Sequence, residues 1–218
     1  MYQICQFAVN KAQNGYLTPD NFNLIINQGQ VSFLDYLLGE SQQYQYGRPQ
    51  ARVSYSLNEN IRQRLTPLIK KTTLTINNST GVAAYPNDYQ QVDAIVYGNN
   101  LARVRFVPQD SLHSYYNSQI DPVATNPIYL IKDDGLMFYP ITLGTAVLSY
   151  VSVPPQIVWG YTLDGNGRPV YSSGTSVQPV WYDADKLEII SRALKLIGLN
   201  LQMGQLEQYA NQVTNQGQ

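Results

Sequence analysis

The sequence predicts an α+β protein: a discontinuous helical bundle, interrupted by an inserted antiparallel β-sandwich or barrel-like domain. Apolar residues recur at helical spacing near both ends of the 218-residue chain. Between Thr72 and about Val158, short β-branched and aromatic runs alternate with turn signals instead. We therefore predict an N-terminal helical part (1–71), a β-rich insertion (72–158), a linker (159–182), and a C-terminal helix and tail (183–218).

The N-terminal part is predicted to contain three helices. The first is a short amphipathic helix over 2–13. For the second, Thr18 supplies an N-cap hydroxyl and Pro19 the first helical position. Its apolar positions recur at helical spacing up to Gly39: Phe22, Ile25, Ile26, Gly29, Phe33, Tyr36 and Leu37. A capping box from Ser56 to Glu59 predicts the third helix.

The insertion is predicted from its turns and its period of two. Seven runs are expected as strands: 73–76, 81–85, 92–97, 102–107, 128–132, 136–139 and 146–153. Asp133-Asp134-Gly135 lies between two of them, which predicts a hairpin. Residues 109–120 are expected to form one helix inside this region.

The C-terminal part is predicted as a helix after a stretch rich in Gly, Pro and Ser at 160–179. Asp185, with Glu188 three residues later, is expected to cap this helix. An apolar stripe follows at steps of three and four: Leu187, Ile190, Leu194, Ile197 and Leu201. Because two heptads are too short for an independent coiled coil, we expect the stripe to pack on the N-terminal helices.

The composition predicts a protein that assembles. Only 13% of residues are charged and the net charge is −1, whereas the chain holds 22 Gln, 18 Asn and 18 Tyr. A net charge near zero promotes association, and Tyr is enriched at interfaces. No apolar run approaches a membrane span and the first residues do not resemble a signal peptide, which predicts synthesis in the cytoplasm and no membrane contact.

Catalytic and metal-binding motifs are not recognised in the sequence. The single Cys5 excludes a cysteine-based zinc site within one chain, and one further soft ligand, His113, is too few for other soft-metal chemistry. Asp164-Gly165-Asn166-Gly167 begins like a calcium loop but lacks the later oxygen ligands, so a β-turn is expected. We predict a protein that is not an enzyme and has no cofactor.

Two stretches are candidates for contact with a partner. Residues 48–71 hold six basic residues against the single acid Glu59: Arg48, Arg52, Arg62, Arg64, Lys70 and Lys71. This stretch is either a solvated helix face or a patch for phosphate or an acidic surface. The C-terminal tail surrounds Leu206, Tyr209 and Val213 with glutamines. It is either a frayed terminus or a segment that docks into a partner.

Three stretches, in this order, carry a resemblance to a known family. They are the run from Gly15 to Asn23 leading into Asn27–Gln30, the segment Tyr85-Pro86-Asn87-Asp88-Tyr89, and a third made of 126–155, 185–201 and Tyr209-Ala210. Together they resemble the head-to-tail connector proteins of short-tailed bacteriophages, also called tail adaptors, and in particular those of the crAss-like group.

The resemblance implies a structural virion protein that forms a closed ring, commonly of twelve copies. Such a ring lies beneath the portal protein, contacts a neighbouring tail ring or hub, and continues the channel for DNA, which it touches only transiently. The C-terminal segment of related adaptors acts against the portal. The alternative is a carbohydrate- or receptor-binding virion module, which requires an exposed Trp159 or Trp181 beside a concave surface.

Overall fold

The computed structural model describes residues 1–11, 16–39, 59–98, 102–115 and 121–200, with the backbone alone for residue 11 and for residues 197–200. The chain divides into two compact units. Unit 1 joins Met1–Pro67 to Pro154–Gln218, and unit 2 is Leu68–Val153. A mixed fold with several antiparallel pairings and a few helices is therefore confirmed, while the bundle arrangement and the predicted domain boundaries stay predictions.

Unit 1 begins with helices α1 (Tyr2–Lys11) and α2 (Pro19–Leu38). The predicted start of α2 is confirmed, since the Asn21 backbone N–H donates to Thr18 Oγ1 over 3.3 Å. Its predicted end is also confirmed, because Gly39 adopts the left-handed φ of 79° that glycine tolerates. The predicted apolar positions of α2 are buried, except for Tyr36, which is half-buried.

Unit 1 continues with α3 (Glu59–Leu65) and ends in α4 (Asp183–Asn200). The prediction that Asp185 caps α4 is wrong. The helix starts two residues earlier, where the Asp185 and Lys186 N–H groups donate to the Tyr182 carbonyl. Asp185 is instead buried and paired with Arg64.

The predicted apolar stripe of α4 is only partly correct. Ile190 is buried, but Leu187 is 63% exposed. The buried face is instead formed by Ile189, Ile190 and Ala193, because Gly29 of α2 lets the two helix backbones approach closely there. Ile197 has no described side chain, and Leu201 lies outside the described residues.

The predicted linker 159–182 contains regular structure. Strands β9 (Tyr161–Leu163) and β10 (Pro169–Tyr171) form an antiparallel hairpin. Its turn confirms the predicted β-turn at Asp164, whose Oδ1 accepts from the N–H groups of Asn166 and Arg168 at 2.9 and 2.8 Å.

Unit 2 contains two four-stranded sheets. The first has the order β1-β8-β3-β4 and the second the order β2-β7-β6-β5. Their bounds are β1 (Ile69–Thr75), β2 (Val82–Ala83), β3 (Tyr89–Tyr97), β4 (Ala102–Arg103), β5 (Arg105–Phe106), β6 (Ile128–Ile131), β7 (Leu136–Tyr139) and β8 (Thr145–Ser152). Both sheets bury side chains in one hydrophobic cluster that includes Leu74, Leu148 and Phe138.

Three predictions about this region need correction, and one is confirmed. Residues 69–71 belong to β1, not to the N-terminal helices. Residues 109–114 form a short 3₁₀ helix, where a helix over 109–120 was predicted, and 116–120 lie outside the described residues. The β5–β6 pairing is parallel, so unit 2 is not purely antiparallel. The hairpin at Asp133-Asp134-Gly135 is confirmed by the antiparallel pairing of β6 with β7.

None of the described helices combines the length and apolarity needed to cross a membrane.

Candidate functional site

The predicted basic stretch is only partly described. Arg62 and Arg64 lie in α3 of unit 1, and Lys70 and Lys71 lie in β1 of unit 2. Arg48 and Arg52 lie outside the described residues.

Arg64 joins α3 to α4. Its Nε donates to Asp185 Oδ1 at 2.6 Å and its Nη2 donates to Glu188 Oε2 at 2.7 Å. The guanidinium also lies 5.0 Å from the Phe33 ring centre. Burial acts to lower the pKa of Arg64, but the hydrogen bonds to Glu188 and Asp185 outweigh it and raise the pKa above its ordinary value. Arg64 is therefore a packed structural cation.

Lys70 is also engaged in an ion pair. Its Nζ donates to Asp88 Oδ2, and the Tyr150 hydroxyl donates to Asp88 Oδ1 at 2.8 Å. These two hydrogen bonds lower the pKa of the Asp88 carboxyl. Lys71 is exposed on the same strand. The basic patch stays a prediction, with two of its described members already neutralised by carboxylates.

An amide ladder is the most regular polar feature of unit 1, and we define it as Asn23, Asn27 and Gln30 of α2. The Asn27 side chain donates to the Ile157 carbonyl and accepts from the Ile157 N–H, each at 2.8 Å. Asn23 makes the same pair of bonds to Trp159, at 3.4 and 2.7 Å. Gln30 donates to the Pro155 carbonyl at 3.0 Å.

The spacing of the ladder residues along α2 explains how their side chains can bond successive alternate residues of an extended segment. Four helical residues rise about 6 Å, and two extended residues advance about 6.6 Å. Asn23 and Asn27, four residues apart on α2, therefore meet alternate residues of the segment 155–159. Gln30 is three residues further along the helix, and its longer side chain reaches the next alternate residue, Pro155.

The ladder side chains take the place of a sheet partner on one edge of the segment 155–159, and no buried charge is needed. On its other edge, Val158 forms an antiparallel bridge with Val177.

An aromatic groove of about 540 Å³ opens on unit 1. Its central ring is Trp159, which stacks on Tyr2 with ring centres 4.3 Å apart. Tyr171 of β10 approaches Trp159 to 5.7 Å and is 47% exposed. Tyr16 is 56% exposed, and its hydroxyl lies 3.5 Å from that of Tyr2. Burial and this contact raise the pKa of Tyr2 above its usual value.

Three glutamine side chains add polar groups to the aromatic groove. Gln3 and Gln6 come from α1, and Gln178 donates to the Tyr171 hydroxyl at 3.2 Å. No charged side chain lines the groove among the described residues. Met1, which carries the α-ammonium of the chain, also lines the groove. The groove thus combines aromatic walls with amide groups and one terminal ammonium.

The two tryptophans have different environments. Trp181 is 2% exposed, and its Nε1 donates to Gln30 Oε1 at 2.9 Å. It therefore cannot supply the exposed ring that the carbohydrate-binding alternative requires. Trp159 does lie beside a concave surface, although Tyr2 covers part of its ring.

The remaining candidate groups are not assembled into a reaction centre. His113 is exposed on the 3₁₀ helix 109–114. Cys5 is fully buried in unit 1, and burial raises the pKa of its thiol to about 11. Within the described part of the chain, no three His, Cys, Asp or Glu side chains come close enough to hold a metal ion. The tail residues Leu206, Tyr209 and Val213 lie outside the described residues.

Aromatic rings that line an open groove are typical of proteins that bind other molecules. The family model of the SU10 adaptor protein matches residues 34–171, more than half of the chain. The chain therefore belongs to the SU10 adaptor family, a family of bacteriophage structural adaptors. No curated protein matches the chain at a significant level.

The sequence alone did not identify the aromatic groove or the amide ladder. Tyr2, Tyr16, Trp159 and Tyr171 are far apart in the chain, and only the fold brings them together. The ladder had a local signal, because Asn23 and Asn27 flank the apolar positions Phe22 and Ile26 at the same spacing of four. Asparagine at such positions favours structural hydrogen bonds at the edge of a core.

Proposed function

We propose that this protein forms a closed ring at the portal vertex of a bacteriophage, where it connects the head to the tail and continues the DNA channel. Membership in the SU10 adaptor family is the observation that carries this proposal. The more specific crAss-like relationship is part of the proposal and rests on the ordered sequence stretches described above.

Exposed apolar side chains on the helices of unit 1 support assembly through lateral contacts. Leu24 and Val31, two turns apart on α2, are 73% and 46% exposed. On α1, Phe7 is 68% exposed and Ile4 48%. Large apolar side chains repeated along a helix face are typical of protein contacts. Two different faces that pair head to tail close into a ring when the rotation between copies closes.

The ring is expected to contain about twelve copies and to bind the portal protein on one side and a tail ring or hub on the other. The basic stretch from Arg48 to Lys71 would then meet DNA only transiently, because Arg64 and Lys70 are already paired with carboxylates. Modest positive charge suits a channel through which DNA must slide.

Native mass spectrometry of the purified chain, alone and with its portal protein, tests the proposal. We expect one closed oligomer. Leu24→Ser should weaken it, because Leu24 is exposed on a helix face, whereas Leu163→Ser serves as the control at a Leu of the β9–β10 hairpin with similar exposure, 65%. A chain that stays monomeric with its portal present contradicts the proposal.

The carbohydrate- or receptor-binding module remains a second candidate, favoured by the aromatic groove. Sugars bind to exposed aromatic faces with amide groups nearby, and Tyr16 and Tyr171 provide such faces. Glycan-array binding that is lost in Trp159→Ala would support this function. An array with no bound glycan would exclude it for the glycans tested.

A further inference from the structure

We propose that the aromatic groove is a peptide-binding site, and that its occupant is the C-terminal segment 201–218 of a neighbouring copy. The inference rests on the proposed ring, since it needs a second copy beside the first. It assigns the groove and the predicted docking tail to each other as the two halves of one contact.

The groove favours an occupant with little charge. Its walls are aromatic, with Tyr16, Trp159 and Tyr171 available to apolar side chains. Its side-chain polar groups are amides and hydroxyls, and no described lining side chain offers a counter-charge. Away from the Met1 ammonium, a charged group of the occupant would lose its hydration without compensation, whereas amide and peptide groups would find partners.

The amide ladder shows how this protein's own amides bind peptide backbone. Asn23 and Asn27 each bond both the N–H and the C=O of one residue of the segment 155–159. Gln3 and Gln6 lie about one turn apart on α1 and line the groove. Among the described residues, neither amide has a hydrogen-bond partner, so both are available to a bound peptide in the same way.

The C-terminal segment matches these requirements in composition. Of its 18 residues only Glu207 is charged, six are glutamines, and Leu206, Tyr209 and Val213 supply apolar side chains. The other long segment outside the described residues, 40–58, carries Glu40, Arg48 and Arg52 and fits a groove with uncharged side chains less well. Eighteen residues span up to about 60 Å when extended, enough to reach an adjacent copy.

Photo-cross-linking in the full-length ring tests the inference. Tyr171 is replaced by p-benzoylphenylalanine, and isotopically heavy and light chains are mixed before assembly. We expect cross-links from position 171 to residues 201–218 in heavy–light pairs. The same replacement at Val170, which is 50% exposed on the adjacent position of β10, is the control and should not cross-link to the tail.

A second variant tests the chemistry of the groove. Gln6→Glu adds a negative charge, and we expect it to lower the yield of the tail cross-link about tenfold, the effect of losing roughly one net hydrogen bond. An unchanged yield would contradict the assigned role of Gln6 in the groove.

The outcomes separate the inference from the proposed function. A ring whose tail cross-links are absent, confined to single chains or directed to the portal overturns the inference and leaves the ring in place. A chain that remains monomeric with its portal overturns both.

Discussion

Asn27 uses both ends of its side-chain amide on one residue, bonding the N–H and the C=O of Ile157. Ile157 is 4% exposed, so neither backbone group has water as a ready substitute. Asn23 repeats the arrangement on Trp159. The abundance of amides in this chain thus has a structural use within unit 1.

Replacing Asn27 should therefore destabilise the protein. Asn27→Ala leaves the buried peptide groups of Ile157 unpaired, and we expect the free energy of unfolding to fall by about 2 to 3 kcal/mol. Gln28→Ala, at an exposed position of the same helix, should change it by less than about 0.5 kcal/mol. Urea unfolding at fixed protein concentration measures both, and equal effects would contradict the role of the ladder.

Asp88 predicts a pH dependence of stability. Its pKa is lowered in the folded protein by Lys70 and Tyr150, so its stabilising contribution is present above the ordinary carboxyl pKa of about 3.9. The contribution is lost as the pH falls through the lower folded value. The difference in unfolding free energy between the protein and Asp88→Asn should thus be constant above about pH 5 and disappear in stronger acid.

Lys70→Met provides the matched test, because it removes the hydrogen bond that lowers the Asp88 pKa most. In that background, the pH dependence of the Asp88→Asn difference should shrink. A pH profile that is the same with and without Lys70 would show that the ion pair does not set the Asp88 pKa.

The role of a residue could be predicted from the sequence when its bonding partner lies only a few positions away along the chain. Thr18 was predicted correctly, because an N-cap bonds an N–H only three residues away. Asp185 was assigned to the same local role and is instead paired with Arg64, 121 residues away in the chain. No local pattern distinguishes those two uses of a carboxylate.

At the scale of elements, the contact between α2 and α4 depends on Gly29. A Cβ at this position would lie 2.9 Å from the Ile189 carbonyl oxygen and 3.1 Å from the Ala193 nitrogen. Both are backbone atoms, so relief requires the helices to move apart. The glycine that looks unfavourable inside a helix is what allows the close packing.

Gly29→Ala should therefore destabilise the protein although alanine is the better helix former. The forced separation of the helices costs about 1 to 3 kcal/mol, and the better helix propensity of alanine offsets up to roughly 1 kcal/mol of it, so we expect a net loss of up to about 2 kcal/mol. Gly165→Ala is the control, since nothing lies within 4 Å of its Cβ position. Thermal unfolding compares the two, and a stabilised Gly29→Ala would contradict the close contact.

Strands could be predicted from the sequence where burial of one face makes apolar and polar residues alternate. Strand β7 matches its predicted bounds of 136–139, and β6 and β8 differ from theirs by one residue at one or both ends. The hairpin of β9 and β10 was missed because most of its side chains are exposed and show no alternation. The parallel pairing of β5 with β6 was missed because its register is set by residues far apart in sequence.

At the scale of the molecule, unit 1 draws on both ends of the chain and unit 2 on its middle. Unit 1 carries the amide ladder, the aromatic groove and the exposed helix faces. Of these, the exposed helix faces and the groove are the features proposed to join copies. The composition predicted association, but the groove could not be predicted, because its residues come from α1, the segment before α2, and the β9–β10 region.

The most direct test of the ring is an electron cryomicroscopy map of the portal vertex in an intact virion. We predict that this chain forms a closed ring of about twelve copies between the portal and the tail, with DNA or an open channel at its axis. A map that places the chain elsewhere in the particle, or that shows another protein filling the position beneath the portal, would contradict the proposed function.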